Sequence, residues 1–216
     1  MINARWLLTY GLLITVGVIG IGYAWVDIPL IEWAHTHDMR QYKWLHTAQQ
    51  LPELFPYLAF IVMVFVGIRS CWATLTRIET ALLYTSISYV FVSFLTKMFK
   101  MVFARTWPAT WVDNNPSWLN DQVFGFFWFI DAAAYRSFPS GHTAAMFAVV
   151  VVLCHFYRSL RFLSGLACAL VIAGLISNYY HYFSDIVAGA YLGTLTGLIT
   201  ISFSKDSRGA FQSSGV

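Results

Sequence analysis

The stretch TAAMFAVVVVLCHFYRSLRFLSGLACALVIAGLISNYY, residues 143–180, decides the fold class. Two apolar runs, 143–157 and 162–180, contain no Asp, Glu, Lys or Arg and are joined by the short basic link Arg158-Ser159-Leu160-Arg161. A bilayer core about 30 Å thick takes roughly 20 helical residues, so each run reads as a membrane span, the first of them short. Comparable runs lie outward on both sides, at residues 6–26, about 51–68, 80–96 and 186–203. The reading is an all-α polytopic membrane protein of six transmembrane helices, one domain over residues 1–216 with its motif-bearing core at about 50–203.

Composition agrees. Hydrophobic residues make up 58% of the chain and charged residues 11%, against about 25% charged in an ordinary soluble domain. A cytosolic enzyme and a disordered chain are excluded. A net charge of +3 is too small to signal nucleic acid or another polyanion as partner. Cys71, Cys154 and Cys168 form no C-x-x-C pair, hence neither a disulfide framework nor a zinc site.

Six spans place both termini on one side. That side carries seven basic residues (Arg5, Arg69, Arg77, Arg158, Arg161, Lys205 and Arg208) against two acidic ones, Glu79 and Asp206. The other side carries six basic and eight acidic residues. By the positive-inside rule the termini are cytoplasmic and the loops after spans one, three and five face outward. The first outward loop contains residues 31–37, expected as a short helix along the interface. The second, 103–138, is crowded with Trp107, Trp111, Trp118 and Phe126-Phe127-Trp128-Phe129, read either as a headgroup belt or as a wall for a lipid substrate.

Three sets of reactive side chains reach that outward face from separate parts of the chain. Lys97, Lys100 and Arg105 follow span three, Ser137-Phe138-Pro139-Ser140-Gly141-His142 opens span four, and His181 and Asp185 lie between spans five and six. Ionisable residues at such positions are costly and mark function. Ser140 suits a helix cap, and Gly141 lets backbone amides approach an anion at a helix start. His181 and Asp185, four apart, share a helical face, so that the carboxylate fixes the imidazole tautomer. Two histidines allow one to attack while the other protonates a leaving group. Lys100 and Arg105 supply charge for a phosphoryl group, and the same cations disfavour a metal site.

These residues resemble the type 2 phosphatidic acid phosphatase family, whose signatures are K-x6-R-P, P-S-G-H and S-R-x5-H-x3-D. Residues 139–142 match the second signature, and His181 with Asp185 matches the end of the third. The first reads Lys100-x6-Trp107-Pro108, and Gly174-Leu175 stands where Ser-Arg is expected. A bent first motif is also similar to lipid A 1-phosphate phosphatases and phosphotransferases. The resemblance implies catalysis without metal or other cofactor through a phosphohistidine. His181 would be the nucleophile, Asp185 its orienting group and His142 the general acid. Lys100, Ser140 and Gly141 would hold the phosphate, with Arg105 and Arg136 replacing the missing arginines and Lys97 next in line. The implied function is a lipid phosphatase at the outer face of a bacterial inner membrane, acting on phosphatidylglycerol phosphate, phosphatidate, undecaprenyl pyrophosphate or lipid A. The alternatives are a lipid phosphotransferase and a non-catalytic lipid-binding relative. Gly189, Gly193 and Gly197 form a small-residue ridge, for packing inside the bundle or for a homodimer face.

Overall fold

The structure, a computed structural model, describes residues 4–112 and 114–204. Lys205, Asp206 and Arg208 of the charge tally lie outside the described residues. Helix α1 (Ala4–Ile21) passes through a π-helical turn, Gly22–Val26, directly into α2 (Asp27–Thr36). The apolar run ends at Val26 only because residue 27 is charged. The helix continues because the Asp27 carboxylate is fully buried and paired. Residues 31–36, expected as a separate interfacial helix, therefore extend the first span.

A short turn leads to α3 (Lys43–Gln49), a 3-10 segment (Leu51–Leu54) and α4 (Phe55–Ser70). Next comes α5 (Arg77–Phe103), opened by a capping box in which the Glu79 amide donates to Thr76 Oγ1 and the Thr76 amide to Glu79 Oε2. The long aromatic loop holds one helical turn, α6 (Trp118–Asp121), before α7 (Gly141–Phe156), α8 (Arg161–Ser177) and α9 (Phe183–Phe203). Among the described residues, five helical segments are long and apolar enough to cross a membrane: Tyr10–Thr36, Lys43–Ser70, Arg77–Phe103, Arg158–Ser177 and Phe183–Phe203. The sixth expected span, α7, is apolar but shorter. The chain is an integral membrane protein.

Helix α7 is the centre of the bundle, and none of its residues is exposed. Glycines of α9 bring the two backbones together. A Cβ at Gly189 would sit 2.5 Å from the Ser140 carbonyl, one at Gly193 2.3 Å from the Ala144 carbonyl, and one at Gly197 2.8 Å from Val151 Cβ. The ridge is filled by α7, which corrects the homodimer expectation: this face is not available to a second chain. Close approach of this kind substitutes for a hydrophobic drive that lipid cannot supply.

Gly174 serves the same purpose between α8 and α3, where a Cβ would lie 2.4 Å from the Leu45 carbonyl. Leu175 is fully buried with Met146, Cys168, Val171 and Ile186. The two positions where the resemblance expects Ser-Arg are thus packing positions.

Candidate active site

Three segments meet at one end of the bundle: the end of α5 with the loop beyond it, the start of α7, and the turn between α8 and α9. Arg77, whose guanidinium donates to the Phe156 carbonyl, marks the opposite end. Tyr179 adopts a left-handed conformation (φ 57°) that reverses the chain after α8. The amides of Tyr180 and His181 then both donate to the Leu175 carbonyl, at 2.9 and 3.4 Å. His181 is left 1% exposed.

Its Nδ1 lies 3.4 Å from Asp185 Oδ2 and 3.4 Å from Ser137 Oγ. Among the described residues its Nε2 has no hydrogen-bond partner. Burial holds the His181 pKa down at about 4 against the opposing pull of Asp185, so the ring is neutral near pH 7. A carboxylate at Nδ1 favours the tautomer with its proton there, leaving the Nε2 lone pair free. Asp185 is itself clamped. Its Oδ2 accepts from Ser137 Oγ (2.6 Å) and the Tyr182 amide (3.0 Å), and its Oδ1 from Arg105 Nη1 (2.5 Å). Ser137 opens the 137–142 set read from the sequence, without a role assigned to it, and Tyr182 and Ser184 were not singled out.

Arg105 departs from its expected role. Ala104, with φ 44°, ends α5 and turns the chain inward, and the Arg105 side chain is wholly buried behind His181. Nη1 reaches Asp185 and Ser184 Oγ, while Nη2 reaches Asp27 Oδ2 at 2.6 Å. Tyr23, Phe124, Phe126 and Tyr182 surround the guanidinium, with ring centres 4.4–5.3 Å from its central carbon. Burial works against this charge, but Asp185 and Asp27 outweigh it and hold the pKa above the usual arginine range. With both terminal nitrogens occupied, Arg105 orients Asp185 instead of facing the cavity. Asp27, which completes the cluster through Ser184 N (2.8 Å) and Ser184 Oγ, was missed. Its one sequence signal was a carboxylate at the end of an apolar run, which is reason enough to suspect function.

The open space of the site lies on the His142 side of the buried His181 ring. A cavity of about 390 Å³ is lined by His142, Gly141, Lys97, Lys100 and Arg136, together with Glu53, Pro52, Pro56, Tyr89, Ser93, Thr96 and Ala145. The His142 ring stands 6.4 Å from that of His181. Its side chain is 20% exposed, and Nε2 is 3.6 Å from Glu53 Oε1. Lys100 Nζ lies 5.4 Å over the Trp107 ring and 3.8 Å from where a Gly141 Cβ would stand. Arg136 is at the rim, paired with Asp131.

Trp107, in the place of an expected arginine, is buried against His181 (5.3 Å between ring centres), and its Nε1 donates to the Ala133 carbonyl. Ser140 caps α7, accepting from the Thr143 amide and hydrogen-bonding to Thr143 Oγ1. Its own amide donates to the Asp185 carbonyl at 3.0 Å, tying the start of α7 to α9. The structure thus gathers His142, Lys97, Lys100, Arg136 and Gly141 around one opening, with His181, Asp185 and Ser140 buried beside it. It sets Arg105 behind them.

A family comparison matches residues 81–208, more than half of the chain, to the PAP2 superfamily. The chain belongs to the PAP2 superfamily. A search of curated proteins finds no match. Among solved structures it is similar to a transmembrane PAP2-type phosphatidylglycerolphosphate phosphatase from Bacillus subtilis, with 17% identity, coverage of 83% of this chain and 92% of that one, and a TM-score of 0.38. Within this PAP2 protein the matched region holds His142, His181, Asp185 and all the cations of the opening. Asp27 and Glu53 reach the site from helices that precede it.

Proposed function

We propose that this protein is a lipid phosphatase that works through a phosphohistidine on His181. The observation that carries the reading is the unpartnered, buried Nε2 of His181, backed by Asp185 at Nδ1 and flanked by His142 and a cation-lined cavity. In the first step the Nε2 lone pair forms a bond to phosphorus. The bond from phosphorus to the lipid oxygen breaks with its electron pair, and His142 gives that oxygen a proton. Positive charge left on the His181 ring is balanced by Asp185, which Arg105, Ser137 and the Tyr182 amide hold in place.

In the second step water attacks phosphorus, its proton passes to His142, and the phosphorus–nitrogen bond breaks to return the pair to His181. Lys100, Lys97 and Arg136 counter the charge on the equatorial oxygens, where phosphoryl transfer gains most. Trp107 holds water away from the face of His181. Arg69, Arg77, Arg158 and Arg161 at the far end of the bundle support, through the positive-inside rule, the reading that the opening faces outward, in this proposal from a bacterial inner membrane.

The test is phosphate release by the purified protein, in detergent with chelator, from a panel of lipid phosphates. An acid-labile phosphoryl-protein trapped by rapid quench is expected with wild type and absent from His181→Ala. Release of inorganic phosphate supports hydrolysis, and transfer to a second lipid without release supports the phosphotransferase alternative. Absence of both products would refute the reading.

A further inference from the structure

Two basic residues at the outward end of the bundle take no part in this chemistry. Of the six that the sequence sets on that side, Lys97, Lys100, Arg105 and Arg136 belong to the site just described, and Arg40 and Lys43 remain. Both line a separate cavity of about 500 Å³, with His46, Thr47, Trp111 and Asn178. Arg40 is held in a fixed attitude. Its guanidinium carbon lies 4.6 Å from the Trp111 ring centre and 4.7 Å from that of Tyr179, and its Nη2 donates to the Asn178 carbonyl at 3.1 Å.

A guanidinium clamped in this way keeps its remaining N–H groups in one plane, the geometry that suits a phosphate oxyanion. Lys43 and His46 are three apart on α3 and share a face. Among the described residues no acidic side chain lines the cavity, and neither Arg40 nor Lys43 enters an ion pair.

The cavity neighbours the catalytic opening. Trp111 packs on Tyr180 at 5.3 Å, and the Tyr180 ring stands 5.6 Å from His142 and 5.3 Å from His181. Two cationic hollows therefore flank a single pair of aromatic rings. Exposed Tyr42 and Trp44 beside Lys43 are of the type that settles at headgroup level.

We propose that this second cavity is an oxyanion subsite for a lipid phosphate, and that the substrate class is a lipid bearing two phosphate groups, one offered to His181 and the other held by Arg40 and Lys43. The assignment of substrate class rests on the phosphatase reading above, whereas the subsite stands on its own contacts.

The test measures equilibrium binding in phosphatidylcholine nanodiscs on a His181→Ala background, where no turnover intervenes. The probes are phosphatidylglycerol phosphate and lipid A, whose two phosphates are closely and widely spaced, and phosphatidate, which has one. Lys43→Glu is expected to weaken at least one two-phosphate lipid by about tenfold or more, the scale of one lost charged hydrogen bond. Phosphatidate is expected to change by less than about twofold in the same discs, since it leaves the second cavity empty. Arg40→Ala should reproduce the pattern.

Equal responses of all three lipids, or none, would overturn the subsite. A phosphatidate effect that emerges only when phosphatidylglycerol is added to the discs would assign the cavity to a neighbouring lipid and overturn the two-phosphate substrate class. Failure of the phosphatase reading is read separately, as no phosphate release from any of the three lipids by the unmodified protein.

Discussion

Behind His181 lies a sealed cluster of Arg105, Asp27, Asp185 and Ser184, and in front lies an open hollow lined by Lys97, Lys100, Arg136 and His142. The two regions use similar residue types at one end of the bundle for opposite tasks. In the sealed cluster every charge already has its partner, so the charges fix geometry. In the hollow the cations outnumber the one carboxylate, Glu53, so the region attracts an anion. Two arginines of one loop show the contrast most directly: Arg105 is fully buried between two carboxylates, and Arg136 stands at the rim beside Asp131.

The most damaging changes fall where the two regions touch. His181→Ala should reduce turnover to background, and Asp185→Asn should cost about 10⁴ in kcat if the carboxylate serves as a triad aspartate does. Both are measured by steady-state kinetics on protein whose size-exclusion profile is unchanged. Full activity in either variant would end the assigned mechanism.

Next comes the sealed cluster itself. Arg105→Ala leaves two buried carboxylates without their cation, which typically costs about 3–5 kcal/mol, and thermal unfolding in detergent should show it. If Arg105→Ala kept its melting temperature and only raised KM, Arg105 would belong to the front region and the contrast would collapse. At the rim, Arg136→Ala should lower kcat/KM by about a hundredfold, the scale of one lost oxyanion donor, with no change in melting temperature.

Gly193→Leu tests the packing that holds the regions in register. Overpacking against the Ala144 backbone costs at least about 1–3 kcal/mol, so the melting temperature should fall while the size-exclusion position stays that of the unmodified protein. The smallest effect concerns pH. His181 titrates at about 4 because it is buried, and the neutral ring is the active form. The acid limb of kcat/KM due to this group should therefore appear only as pH falls toward about 4. A limb governed by His181 near the ordinary imidazole value of about 6.5 would show that the ring is wetter than its contacts imply.

Much of the front region was legible in the sequence. Lys100, His142 and His181 sit at the ends of three different apolar runs that a six-span reading brings to the same side, and the structure gathers them at one end of the bundle. The back region was not legible, because its logic depends on a partner 78 positions away: nothing local to Arg105 announces Asp27. The same pairing hid the true end of the first span, since a hydropathy reading stops at a carboxylate that burial and a guanidinium have made tolerable. Trp107 and Leu175 looked like losses from a phosphate grip. The structure shows one walling His181 and the other filling the core, roles that follow from contacts and not from motif spacing.

The shortness of α7 has a consequence for the lipid. At 16 residues it spans about 24 Å, against about 40 Å for the 27 residues of α5. A lipid-facing helix that short would thin the bilayer around it or tilt its neighbours. Helix α7 packs among α5, α8 and α9 with none of its residues exposed, so little of the mismatch faces acyl chains. The deficit leaves an open well beside the first turn of α7, lined by Lys97, Lys100, Arg136 and His142. On the phosphatase reading proposed above, a lipid's phosphate group would descend to His142 and exchange its hydration for lysine and arginine donors, while the acyl chains stayed at their depth in the leaflet. Lengthening α7 by one turn at its start would fill that well and strand the headgroup above the two histidines.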